Sequence, residues 1–156
     1  MTPNQADSPG VRVPPPLVFL GGLAIGLVLS IWAPTEYLDR TVAHLVGGVL
    51  TGIGVLLALS AVYAFSRAHT NLRPDRPSSA LVRSGPYRFT RNPMYVSLTI
   101  VYVGVAVMMQ SLWSLLLLPL VVAFIRIKVI GREEAYMERR FGAEYLRFKN
   151  DVRRWL

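Results

Sequence analysis

The chain contains no cysteine, so disulfides, thiol nucleophiles and Cys-ligated metal centres are excluded together. Histidine is nearly as scarce. With only His44 and His69 there are too few ligands for a zinc centre, and no metal site is expected. Acidic residues are outnumbered by basic ones, 9 to 17, and none of them falls inside the first three long apolar runs. A small transporter that couples ions to substrate needs an ionisable group within a span, so this absence weighs against that class. There is no strand-rich stretch and no G-x-G-x-x-G, which removes the usual soluble dinucleotide-type fold.

What the chain has in quantity is apolar surface. At 156 residues and 53% hydrophobic, it is one domain long and too apolar for an ordinary water-soluble fold. Four stretches carry almost no charge: Leu17 to Ala33, Val42 to Phe65, Met94 to Gln110, and Leu112 to Ile125. The second can cross about 30 Å of hydrocarbon unaided, and the others need their flanks or a thin bilayer. The expectation is an all-α polytopic membrane protein of about four transmembrane helices, with a cytoplasmic amphipathic C-terminal segment. The N-terminus is polar and Pro-rich rather than basic, so the first span reads as retained and not as a cleaved signal.

The positive charge is segregated. Arg67 to Arg91 holds six arginines against Asp75 alone, and the tail from Arg126 holds nine basic residues against five acids. Pro34 to Arg40 has one arginine against Glu36 and Asp39, and Gln110-Ser111 has no charge. By the positive-inside rule the Arg-rich connection, the tail and both termini are cytoplasmic, with a bacterial inner membrane as the expected location. The basic excess is accounted for by this topology and by anionic membrane lipids, without nucleic acid.

Residues 1 to 13 read as disordered and 17 to 65 as two scaffold spans, leaving 66 to 156 for chemistry within a single domain. Gly22 with Gly26, and Gly48 with Gly52, have the small-xxx-small spacing that lets helices approach closely in lipid. His44 is assigned no role. Ser66 to Asn92 is loop chemistry, and Asn92-Pro93 starts the third span with Asn as N-cap and Pro at the first helical position. The Gln110-Ser111 pair demands a tight helical hairpin, and Pro119 is a kink site in the fourth span. Tyr136, Phe141, Tyr145, Phe148, Val152 and Trp155 form a helical stripe with a break possible at Gly142. That stripe fits a helix on the membrane surface, with Lys149, Arg153 and Arg154 toward lipid phosphates, that also closes a site.

Two clusters can meet at the cytoplasmic face. One is the run Ser84 to Tyr95, SGPYRFTRNPMY, in which Arg88 and Arg91 flank a helix N-terminus suited to a carboxylate. The other is Glu133-Glu134, which supplies acceptors for an ammonium group or ribose hydroxyls. Each alone has an ordinary explanation in lipid contact or helix-dipole stabilisation. Read in order, GPYRFTRNPMY, an apolar hairpin and REEAYMERRFGAEYLRFKNDVRRW resemble the C-terminal region shared by isoprenylcysteine carboxyl methyltransferases and phospholipid N-methyltransferases. The resemblance covers roughly Thr70 to Leu156.

The resemblance implies a membrane methyltransferase that binds S-adenosylmethionine in a cytoplasmic pocket. Tyr87, Arg88, Arg91, Asn92, Pro93, Tyr95, Glu133 and Glu134 match the family's cofactor-site motifs, with Arg91 and Glu134 also in the catalytic set. Gly85 and Pro86 would shape the turn. The family often has His where this chain has Asn92, and commonly Gly where it has Ser97. The implied acceptor is lipophilic: an isoprenylcysteine-like carboxylate, a phospholipid amine or a small hydrophobic metabolite. Either glutamate could be cofactor ligand or base. A non-catalytic membrane scaffold is the other class the sequence leaves open, and oligomeric state is not legible in it.

Overall fold

The computed structural model describes residues 10, 13–68 and 80–155. The expected disorder of residues 1 to 13, apart from Gly10 and Val13, and the loop residues 69–79, including His69 and Asp75, therefore lie outside the described residues. Those that are described form helices and connections with no strand among them.

Helix α1, Pro15–Trp32, starts with proline at its first turn, where a missing N–H costs nothing. Helix α2, Arg40–Arg67, is capped by Asp39, whose carboxylate accepts from the Thr41 and Val42 amides. These two bonds hold the exposed Asp39 carboxyl below its ordinary pKa. Helix α3 is Pro93–Met108, and α4 is Leu112–Phe124 with Pro119 inside it. The sequence reading ends the fourth span at Ile125, but the helix continues. A π-helical turn, Ile125–Ile130, joins α4 to α5, Gly131–Phe141, as one 30-residue helix. Helix α6, Ala143–Asp151, follows Gly142, whose φ of +51° makes the break that the stripe allowed for.

Three helical stretches are long and apolar enough to cross a membrane: α1, α2 and Leu112–Phe141. With the shorter apolar α3 they make the four-helix membrane unit that the hydropathy pattern called for, and the chain is an integral membrane protein. Helix α2 packs along α3, and α1 along α4. The first contact is made by glycine, though not by the predicted pair. A Cβ on Gly47 would lie 2.5 Å from the Gly104 carbonyl oxygen, and one on Gly104 would lie 2.8 Å from that of Gly47. Gly54 meets Val101 and the Ser97 carbonyl in the same way, whereas Gly48 and Gly52 face outward with open space beside them. The spacing identified a close-approach helix, and within the chain the approach is made one residue round from that pair, at Gly47. Gly22 and Gly26 do pack as expected, against Val121 and Ser114.

At the α3–α4 turn a buried polar knot fixes the hairpin. Gln110 takes a φ of +51°, and its side-chain oxygen accepts from the Tyr37 and Leu38 amides at 3.1 Å. Ser111 bonds Ser30, Ser114 and the Gly26 carbonyl, and Tyr102 donates to the Ser114 carbonyl at 2.9 Å. Every one of these groups would otherwise be an unpaired polar atom in an apolar bundle. The opposite end, where α1, α3 and α6 meet the long helix, holds the residues that the sequence singles out as site candidates.

Candidate active site

The loop returning from α2 reaches the site through Gly85, whose φ of +60° permits the tight entry to a 3-10 turn, Gly85–Arg88. That turn buries Tyr87 edge-on against Phe65 of α2, with ring centroids 5.3 Å apart. Ala61, Ala64, Val82, Tyr145 and Phe148 complete a small apolar cluster around it. The stripe on α5 and α6 therefore points into the protein: Tyr136, Tyr145 and Phe148 are buried. This corrects the expectation of aromatic anchors lying on the membrane surface, because α2 and the loop provide a drier and closer apolar partner than a lipid headgroup region.

Two of the three tail cations expected to face lipid phosphates, Lys149 and Arg154, are paired within the protein, and Arg153 stays exposed. Lys149 pairs with Glu138. Arg154 forks onto Glu134, with Nε to Oε1 at 2.9 Å and Nη2 to Oε2 at 2.6 Å. The backbone of Arg153 and Arg154 is tied to the start of α3: the Arg91 amide donates to the Arg153 carbonyl at 2.9 Å, and Thr90 Oγ1 and Asn92 Nδ2 both donate to the Arg154 carbonyl at 3.0 Å. Asn92 does occupy the N-cap position, but its side chain makes no cap bond. The tail carbonyl has captured it, which is where the predicted cap fails. Trp155 packs on the apolar cluster of Tyr95, Tyr102, Ile125 and Ile130.

The acidic pair then divides. The Tyr95 hydroxyl donates to Glu133 Oε1 at 2.7 Å, while Glu134 is buried, with both oxygens engaged by Arg154. Arg91 lies 3.5 Å from Glu134 Oε1, too long for a hydrogen bond to stand beside the ion pair. Its side chain is 91% buried, being 9% exposed, and neither Nε nor Nη1 has a hydrogen-bond partner. A buried donor left without an acceptor costs about 1–3 kcal/mol, more when charged. Such a cost is common where a ligand completes the site.

Burial pushes the Tyr87 hydroxyl well above its ordinary pKa, with the charge of Glu133 adding to the effect. Tyr145 is pushed up to about 12, first by burial and then by Glu134, against the opposing influence of Arg91. Both phenols are therefore proton donors at neutral pH. Hydrogen bonding to Glu134 raises the Arg154 pKa further above its ordinary value.

Of the residues singled out in the sequence, Tyr87, Arg91, Asn92, Pro93, Tyr95, Glu133 and Glu134 come together at one end of the bundle. Arg88 lies on the exposed side of the 3-10 turn. Ser97 is buried on the side of α3 that meets Gly54 of α2, with its hydroxyl on the Met94 carbonyl. The sequence reading missed Thr90, Tyr145 and Arg154 as parts of the site. Arg154 had one legible signal: a buried Glu134 needs a close cation, and Arg153-Arg154 is a basic pair held next to an anchoring tryptophan. Among the described residues no group of His, Asp or Glu could hold a metal ion.

The arrangement presents, at one end of the bundle, buried guanidinium donors without acceptors and a carboxylate steadied by a phenol. A family model described as phospholipid methyltransferase matches residues 42–144, two-thirds of the chain. The chain is 39% identical over 88 residues to a phosphatidylethanolamine N-methyltransferase of Homo sapiens, covering 55% of this chain and 44% of the human protein. It is also 36% identical over 63 residues to an uncharacterised protein of Haemophilus influenzae, covering 40% of this chain and all of that one. No solved structure matches it. The chain thus spans less than half the length of the human relative.

Proposed function

The chain belongs to the phospholipid methyltransferase family, and we propose that it transfers a methyl group from S-adenosylmethionine to a membrane lipid, with a phospholipid headgroup amine as acceptor. The observation that carries the reading is the placement of Tyr95 on Glu133 and of Arg91 beside Glu134, the next residue, at the end of an apolar helix bundle. The resemblance drawn from GPYRFTRNPMY and the REEAYMERRF segment supports the cofactor, and the family match and the human relative's name support the lipid amine.

The residues present fit that cofactor on chemical grounds. Arg91 has two buried donors without an acceptor, suited to the carboxylate of an amino-acid group, and Glu133 offers acceptor capacity beyond its Tyr95 bond, suited to an ammonium or a hydroxyl. When bound, the sulfonium supplies the reactive carbon for an in-line displacement. The chain's own task is then to bind, orient and exclude water. Tyr95 fixes the Glu133 carboxylate, which is the group placed to take a proton from an attacking amine. Glu134 has a different part in this reading, because Arg154 holds both its oxygens. Tyr87, Asn92 and Pro93 shape the wall beside Tyr95, and Arg88 stays at its watery side. The site faces the cytoplasm, with both termini on that side, as the segregation of arginine supports. A lipid acceptor enters sideways between helices and the polar cofactor enters from water.

The test is calorimetric titration of the detergent-purified chain with S-adenosylmethionine and S-adenosylhomocysteine, followed by methyl transfer from labelled cofactor to phosphatidylethanolamine vesicles. Binding and lipid labelling are the expected results. A folded chain that binds neither compound would overturn the reading.

A further inference from the structure

Two arginines compete for one carboxylate, and the outcome is uneven. Arg154, from the C-terminal tail, takes both oxygens of Glu134 in a fork, while Arg91, nearly buried at the start of α3, is left at 3.5 Å with Nε and Nη1 unbonded. Guanidinium and carboxylate normally close to a bidentate pair when nothing opposes it. Here the opposing constraint is visible. The Arg154 side chain is held by its own backbone, because the Arg154 carbonyl accepts from Thr90 and Asn92 and the Arg153 carbonyl accepts from the Arg91 amide.

We propose that Arg154 is a positioning residue: by occupying Glu134 it keeps that carboxylate off Arg91 and preserves buried guanidinium donors, Nε and Nη1, that receive an anionic group of the ligand. The tail is then a working part of the site and not only a cover for it. The group received is a carboxylate or a phosphate, brought by the amino-acid end of the cofactor or by the phosphodiester of the lipid. The inference rests on the methyl-transfer reading for the identity of that ligand, but its geometry does not depend on it. Without Arg154, Glu134 is free to move the short distance onto Arg91 and neutralise it from within.

The experiment compares two ligand pairs, each differing by one negative group. The first is S-adenosylhomocysteine and its decarboxylated analogue. The second is short-chain phosphatidylethanolamine and an analogue with an uncharged linker in place of the phosphodiester. The quantity read is the preference for the anionic member, in detergent-purified full chain, for wild type, Arg91→Ala, Arg154→Ala, Arg154→Lys and the double variant Arg154→Ala/Glu134→Gln. Wild type is expected to prefer one anionic member by roughly tenfold or more, the scale of a charge-assisted bond in a dry site. Arg91→Ala and Arg154→Ala should abolish that preference, and Arg154→Lys should keep part of it, since an ammonium cannot fork. The double variant should recover it, because a neutral amide no longer neutralises Arg91. Which pair shows the preference identifies the source of the anion.

A purely structural Arg154 would lower affinity for both members of a pair equally and leave the ratio unchanged. A preference retained in Arg154→Ala, no recovery in the double variant, or no preference in wild type for either pair would each overturn the proposal. A wild-type chain that binds neither adenosyl compound overturns the methyl-transfer reading instead, and the lipid pair then decides the anion site by itself.

Discussion

Tyr95 donates its hydroxyl to Glu133 at 2.7 Å, and the next residue along, Glu134, points its carboxylate into an arginine fork. Adjacent positions on a helix face directions about 100° apart, so two glutamates in a row are presented to two different neighbours. That separation gives the two carboxylates separable consequences. Tyr95→Phe should leave the fold intact and slow methyl transfer about 10- to 100-fold, the worth of a hydrogen bond to a charged group at about 1.5–3 kcal/mol. Glu133→Gln should do at least as much, with kcat falling more than KM rises if Glu133 takes the proton. Initial rates with labelled cofactor on lipid vesicles check both, and wild-type rates in either folded variant would remove Glu133 from the chemistry.

The element that presents those carboxylates is the 30-residue helix from Leu112 to Phe141, and its irregular turn matters most. In the π-helical stretch the Gly131 amide reaches back five residues to the Arg126 carbonyl. Ile125, Ile130 and Glu134, at intervals of five and four, are all buried, with Val129 buried beside them. A regular helix would carry the inward face from Ile125 through Val129 to positions before Glu134. Deleting Lys128, an exposed residue within the turn, should convert it to an ordinary helical turn and leave the acidic pair on its inward face, because the turn holds one residue more than a regular helix needs. Methyl transfer and helical circular dichroism should both be kept, whereas deleting Ile127 and Lys128 together should swing the acidic pair by about 100° and abolish transfer. Loss of activity in the single deletion of a folded chain would show that the turn does not absorb the missing residue.

Across the whole molecule, the chemistry-bearing residues lie at one end of the bundle and the polar Gln110–Ser111 knot at the other. The two ends differ in charge, and the proposed cytoplasmic orientation of the site rests on that difference. With no native cysteine, a single introduced thiol reports its side of the membrane without background. Glu36→Cys, beside the α1–α2 connection, should react with an impermeant maleimide added outside spheroplasts, and Arg147→Cys on α6 should react only after permeabilisation. Labelling in the reverse order would invert the topology, and labelling of both from one side would contradict the four-helix crossing.

By itself the sequence determined what depends on local composition and periodicity. The apolar runs dictate membrane helices, Asn92-Pro93 marks a helix start, Gly142 marks a break, and the arginine asymmetry supports an orientation, because each follows from a residue's own transfer energy or backbone freedom. The ordered motifs were enough to name the region where Tyr87, Arg91, Tyr95 and the acidic pair gather. Only the tertiary structure decided who pairs with whom. Gly47 and Gly104 form the α2–α3 seam in place of Gly48 and Gly52, since the seam depends on the partner helix's rotation and not on glycine spacing. Arg154 turns to Glu134 and not to lipid, and Asn92 leaves its cap for the tail carbonyl. A buried carboxylate or carbonyl takes the nearest strong donor, and nearness between residues 20 or 62 positions apart is a property of the folded chain alone.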